Sequence, residues 1–384
     1  MMTTLARFMP HVSSAPAVAE STPLSGRGRT ARRMVGIDVA RALAIIGMLA
    51  VNVGPTRPAA AAMESGDFFW WLYELPTGRA SILFMVLAGV GMSLLTRRAR
   101  ITGAPMPLAT ILWRAVLLIV LALGLQMMDH QVNVILASYG VLFLCAIPLL
   151  RAPTGILALI AGAGTLVFPM LWISMQLMTG TTFRYVSPAF TDPPQTMVHS
   201  IVLTGSYPVL IWSVPFITGM ILGRLDLSAH VVQRDLVFFG LAAAVIGLGT
   251  ATALLQLFGP VGSEAGWDQL RTAQGHSEMP LWLLSSIGIA AVILGVCLLT
   301  QHYLKRWVPA LVSAGRLAFT VYLTHLIILA LVIRPAPENL AQGYLVTIGL
   351  SATLVLAAHG WWVRFGTGPA ERLLSWPPRL RTSP

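Results

Sequence analysis

Ten apolar runs recur between Met34 and Val363, most of them about long enough to cross a bilayer, with no soluble-looking stretch between them. A helix needs roughly 20 apolar residues to span the hydrocarbon core, where backbone groups must be satisfied within the segment. The runs are Met34–Pro55, Ala80–Thr96, Leu108–Met128, Val132–Leu150, Thr154–Met175, Tyr207–Gly223, Leu236–Phe258, Leu281–Thr300, Val312–Ile333 and Gly343–Val363. They predict an all-α integral membrane protein, a single bundle of about ten transmembrane helices. Composition agrees: 56% of the 384 residues are hydrophobic and 10% charged, against about 25% charged in soluble domains. A soluble chain this apolar would lack the polar surface to stay dispersed.

The net charge of +11 does not point to nucleic acid, because the basic residues lie in short clusters between apolar runs. With the N-terminus inside, 19 of the 25 basic residues fall on the cytoplasmic side and five outside: Arg57, Arg79, Arg184, Arg271 and Arg334. Arg41 lies within the first span. That asymmetry predicts a multi-pass protein of the inner or plasma membrane with both termini cytoplasmic. Residues 1–33 read as a disordered basic tail, 34–363 as the membrane domain and 364–384 as a short basic tail on the inner surface. No continuous apolar core marks residues 1–33 as a secretory signal, so the first span is expected to act as an uncleaved anchor. Cys145 and Cys297 have no disulfide or metal-ligand spacing and read as packing residues. No metal is expected.

Ionisable groups inside spans cost about 2.5–3.5 kcal/mol on insertion scales, so each needs a reason. Asp38 and Arg41 are three residues apart in GIDVARALAIIGMLAVNVG, which puts them on one helical face as a pair. Two readings stand side by side: a structural ion pair, or an anion site open to the cytoplasm. Asn52 lies near the external end of the same span, as a packing hydrogen bond or a substrate contact. Arg79 opens TGRASILFMVLAGVGMSLL at the external surface, and Tyr139 lies within ILASYGVLF after the short turn Asp129-His130-Gln131. In RLAFTVYLTHLIILALVI, Tyr322 and His325 share a face, and His325 falls near the bilayer midplane. His is the side chain best suited to move protons near neutral pH. His276, in GHSEMP outside the eighth span, is the other candidate base, with Ser277 and Glu278 as orienting neighbours. His359, beside Trp361 and Trp362, reads as structural.

Several segments resemble the bacterial relatives of heparan-α-glucosaminide N-acetyltransferase and the neighbouring DUF418 (YeiB-like) membrane proteins. They are RMVGIDVARALAIIGMLAVNVG, TGRASILFMVLAGVG, ILASYGVLFLCAIPLL, GSYPVLIWSVPFITGMILGR, AGRLAFTVYLTHLIILAL and VRFGTGPAERLL. In the acetyltransferase, a membrane bundle takes acetyl-CoA from the cytoplasm and acetylates a glucosamine amine on the opposite side. Asn52 matches the Asn of that family's first-span motif. The family's His a little after this Asn has no counterpart here, since VNVGPTRPAAAAMESGD contains none.

The resemblance implies a transmembrane acyltransferase using cytoplasmic acyl-CoA, in the first place acetyl-CoA, as co-substrate. Arg41, paired with Asp38, would hold a CoA phosphate. Tyr139 and Asn52 would orient the thioester and stabilise its oxyanion, with Arg79 as a further contact. His325 or His276 would take the acceptor's proton, His325 being the narrow first choice. Expected partners are the lipid bilayer, acyl-CoA and an external sugar, glycolipid or envelope acceptor; a homodimer is compatible with the chain. The rival expectation is a transporter or exporter of a small polar or lipid-linked molecule, in which the same polar residues line a permeation or proton path. A membrane scaffold without turnover is a third.

Overall fold

A computed structural model of the chain describes residues 33–54, 72, 74–183, 187–335, 337 and 340–375. Its helices follow the apolar runs: α1 (Val35–Val53), α2 (Arg79–Thr102), α3 (Leu108–Leu125), α4 (Leu136–Ala146), α5 (Thr154–Thr179), α6 (Pro194–His199) and α7 (Val209–Leu222). After these come α8 (His230–Phe258), α9 (Pro280–Leu299), α10 (Gln301–Trp307), α11 (Pro309–Arg316), α12 (Ala318–Ile328), α13 (Leu340–Phe365) and α14 (Pro369–Ser375). Seven of them, α1, α2, α3, α5, α8, α9 and α13, are long and apolar enough to cross a membrane. The described residues form an all-α, multi-pass membrane protein.

Three of the expected spans take other forms. The run from Val132 to Leu150 yields a helix only from Leu136, with a 3-10 turn to Leu149, and is shorter than the bilayer core. The Gln126 side chain holds the missing turn open, donating to Val132 O and accepting from Val134 N–H. The run at Tyr207–Gly223 becomes α7, bent by 56° from α6 and the wide turn after it, where Gly205 and Pro208 interrupt the helical ladder. The run at Val312–Ile333 breaks at Leu317 into α11 and α12, bent by 84°. Counting each bent pair as one span gives up to nine.

Burial divides the helices by role. α1, α2 and α9 bury most of their membrane-length windows inside the protein, whereas α3, α5, α8 and α13 leave about two thirds or more of theirs facing outward. The outward faces carry Leu, Val, Ile and Phe, as a lipid-facing surface requires. Small residues let the inner helices approach closely. A Cβ on Gly89 of α2 would collide with Phe216 O of α7, and one on Gly219 of α7 with Val86 O of α2. Gly315 of α11 is pressed in the same way against the Asp38 backbone of α1.

The stretch expected as a surface tail folds in part into the bundle. Glu371 of α14 accepts hydrogen bonds from Phe319 N (2.8 Å), Thr320 N (3.0 Å) and Thr320 Oγ1 (2.5 Å). Its carboxylate thereby satisfies orphan donors at the start of α12, where the helix macrodipole also favours negative charge. Trp113 and Arg114 of α3 donate to Leu373 O and Leu374 O. The break at Leu317 and the helix after Pro369 are thus two halves of one interaction.

Candidate functional site

The first site grows out of the ion pair in α1. Asp38 is 1% exposed, a burial that a carboxylate tolerates only with partners. Arg41 Nη1 lies 3.3 Å from its Oδ1, the contact that the spacing of three residues predicts. A second arginine, not anticipated from spacing, joins the group: Arg316 Nε, at the end of α11, lies 3.5 Å from Asp38 Oδ2. The Arg316 guanidinium also covers the Trp362 ring at 4.6 Å, a cation–π contact.

These arginines border a pocket of about 440 Å³, within the usual range for small-molecule sites. Arg41, Arg114, Arg316 and Glu371 supply its charged lining, and α2 lines it from Phe84 to Leu95, about 16 Å of helix at 1.5 Å per residue. The rest of the lining is almost wholly apolar. Tyr139 and Phe84 also line it, their rings 5.5 Å apart, and the buried Tyr139 hydroxyl has no hydrogen-bond partner. The pocket therefore suits a ligand with an anionic end and a slender body carrying a hydrogen-bond acceptor.

A second, polar cavity lies on the far side of Phe84. Tyr322 stacks on Phe84 at 6.2 Å between ring centroids and lines this second cavity with Asn52, Ser81, Asn133, Tyr207 and His276. Its volume is about 20 Å³, room for roughly one water molecule. The stacked rings of Phe84 and Tyr322 thus stand between the two cavities.

Behind Tyr322 lies His325, fully buried, its ring 5.0 Å from that of Tyr322. Asn52 Nδ2 is 3.2 Å from His325 Nε2. An amide NH2 only donates, so Nε2 accepts and the imidazole proton sits on Nδ1. Arg334 fixes the Asn52 end of α1, donating to Asn52 O at 2.9 Å and to His130 O at 2.7 Å. Burial lowers the pKa of the His130 imidazole, partly offset by its contact with Leu125 O.

His276 sits in an aromatic enclosure, with ring centroids 5.6 Å from Tyr207, 5.9 Å from Trp212 and 6.1 Å from Trp282. The Glu278 carboxylate is fully buried beside it, Oε1 being 3.7 Å from His276 Nδ1. Desolvation raises the Glu278 carboxyl pKa, and the neighbouring imidazole opposes that rise. Burial likewise raises Glu74, against the Gly275 N–H and Arg79.

Arg41 and Tyr139 thus line one pocket, with Asp38 paired to Arg41, and Asn52 and His276 line the other, with His325 bonded to Asn52. The structure does not bring Arg79 to the first group. That guanidinium donates to Glu74 O, Leu75 O and Ala273 O and ties the second cavity's loops together. His359 meets Ser313 Oγ at 3.0 Å within the bundle. Spacing did not reveal Phe84, Arg316 and Glu371; the segments AGRLAFTVYLTH and GTGPAERLL were the available signal for the latter two.

Long apolar helices packed around an arginine-bordered pocket and a small polar cavity define a multi-pass membrane protein. Residues 236–376 match the model of the family described as protein of unknown function (DUF418). The matched stretch contains His276, Glu278, Arg316, Tyr322, His325 and Glu371. No curated protein matches the chain.

Proposed function

We propose that the protein is a transmembrane acyltransferase that passes an acyl group from an acyl-CoA, in the first place acetyl-CoA, to an acceptor on the opposite side. The observation that carries this reading is the pair of cavities meeting at Phe84 and Tyr322, one bordered by arginines and one polar. Arg41, Arg114 and Arg316 offer charge-assisted contacts to the donor's phosphates. The pantetheine arm would follow α2 and bring the thioester carbonyl to the Tyr139 hydroxyl, a donor for its developing oxyanion. The acceptor, a sugar, glycolipid or envelope component, would present a single amine or hydroxyl to the polar cavity, which has room for one such group and where Asn52 can orient it. On the basic-residue asymmetry, the arginine pocket would face the cytoplasm.

The deciding experiment uses the full chain in nanodiscs with labelled acetyl-CoA and a cell-envelope extract. Release of free CoA together with a labelled acceptor supports the reading. Counterflow of a small polar solute in proteoliposomes, with no acyl transfer, would establish a transporter instead.

A further inference from the structure

We infer that His276, positioned by the buried carboxylate of Glu278, is the proton acceptor of this site, and that His325 serves to hold Asn52. The inference rests on the acyl-transfer reading for the identity of the reaction, and on geometry alone for the choice of histidine.

Access separates the two imidazoles. The His276 side chain is 27% exposed and lines the polar cavity, whereas His325 is sealed behind Tyr322. Lone pairs separate them too. The Nε2 lone pair of His325 is engaged by the Asn52 amide, so that ring has no nitrogen ready to receive a proton. For His276, Nδ1 faces Glu278, which leaves Nε2 as the basic nitrogen.

The surroundings of Glu278 suit a positioning role. The carboxylate is fully buried yet neither oxygen has a hydrogen bond within the usual geometry, a costly state for a group without a task. The Trp212 indole favours the ionised carboxylate from one side, and the buried Trp282 indole nitrogen has no partner within hydrogen-bond geometry. His276 and Glu278 both adopt positive φ, 58° and 62°, a conformation that non-glycine residues rarely hold and that clusters at functional sites. An imidazolium formed on His276 would be stabilised by the carboxylate and by the surrounding aromatic faces. The other titratable groups facing this corner are Glu74, which accepts from Gly275 N–H, Arg79 beside it, and Tyr207 from the α7 side.

In the reaction, which requires the Phe84 ring to turn aside so that the two cavities join, the acceptor's nitrogen or oxygen forms a bond to the acyl carbon as its proton passes to His276 Nε2. The C–S bond breaks, and sulfur leaves with the electron pair as thiolate, to be protonated from water at the arginine pocket. His276 then returns its proton to water on the polar side.

Two measurements test this in nanodisc-embedded full chain. The first needs no donor: carbethoxylation of His276 by diethyl pyrocarbonate, which modifies only neutral imidazole, followed by mass spectrometry from pH 5 to pH 8.5 (about the range in which imidazoles titrate). E278Q, which removes the carboxylate facing Nδ1, should alter the His276 profile, and superimposable wild-type and E278Q profiles overturn the dyad. The second is turnover of acyl-CoA. H276Q, at a partly exposed position, should lose about 10²–10⁴-fold in kcat and the acid limb of the pH profile, with donor KM little changed. H325Q, whose amide can still meet Asn52, should keep that limb. The opposite pattern assigns the base to His325. If the wild-type protein turns over no acyl-CoA, the acyl-transfer reading fails, and the carbethoxylation profiles still decide the dyad.

Discussion

Asn52 Nδ2 and His325 Nε2 lie 3.2 Å apart although 273 residues separate them in the chain, joining the C-terminal end of α1 to α12. The bond sets the tautomer of His325 and aims the remainder of the Asn52 side chain at the polar cavity. Asn52→Ala leaves a buried imidazole nitrogen without its donor, a loss of about 1–3 kcal/mol. Chemical denaturation in mild detergent should show that destabilisation, and turnover should fall by more than the stability change explains. Unchanged turnover would remove Asn52 from the site.

Asp38 bridges Arg41 and Arg316, so the two arginines do not tolerate its loss equally with their own. Asp38→Asn leaves two guanidinium groups close together in a partly buried setting and should destabilise by about 3–5 kcal/mol. Arg41→Leu leaves Asp38 with Arg316 and should be milder in stability, while weakening donor affinity. Isothermal titration with a non-hydrolysable CoA analogue reads the second effect; unaltered affinity in folded Arg41→Leu would refute an anion site there.

Phe84 separates the two cavities, with Tyr322 stacked behind it. Phe84→Ala should open a passage and cost about 3–5 kcal/mol through the cavity it leaves. Proteoliposomes carrying this variant should leak small solutes faster than the parent. Equal leak rates would show that the wall does not depend on this ring.

The stability of the His276 corner should depend on pH through Glu278. Its carboxyl pKa is raised in the folded state, mainly by desolvation. The protonated form therefore favours folding below the ordinary Glu value of 4.5, and that contribution is lost as pH rises through the raised value. E278Q, which stays neutral, should match the wild-type melting temperature near the acid end and exceed it by a few degrees (roughly the effect of 1 kcal/mol) once the carboxyl ionises. A wild-type protein that gains stability relative to E278Q on the alkaline side would contradict the sign.

Glu371 caps α12 from the other side of a sharp bend. Glu371→Ala removes acceptors from three donors and should cost about 1–2 kcal/mol. Hydrogen exchange should rise first at Phe319 and Thr320; protection unchanged at both would show that the bend holds without the cap.

The amino-acid sequence by itself determined the class of this protein. Runs of apolar residues have no stable alternative to helices in a bilayer, and a spacing of three suffices to pair Asp38 with Arg41, because both facts depend only on local chain geometry. The length of an apolar run did not determine whether it forms one straight span. Gln126 opens the start of α4, and Glu371, more than 50 residues away, supports the restart at α12. The partition of the polar residues between two cavities was likewise a tertiary decision. The sequence already placed Arg79 at the other surface from Arg41, but not the three backbone carbonyls, Glu74 O, Leu75 O and Ala273 O, that hold its guanidinium. Only the packing of α1, α2, α7 and α12 sets the depth of each side chain and the aromatic wall between them, since hydrogen bonds and ring contacts over hundreds of residues leave no periodicity to read.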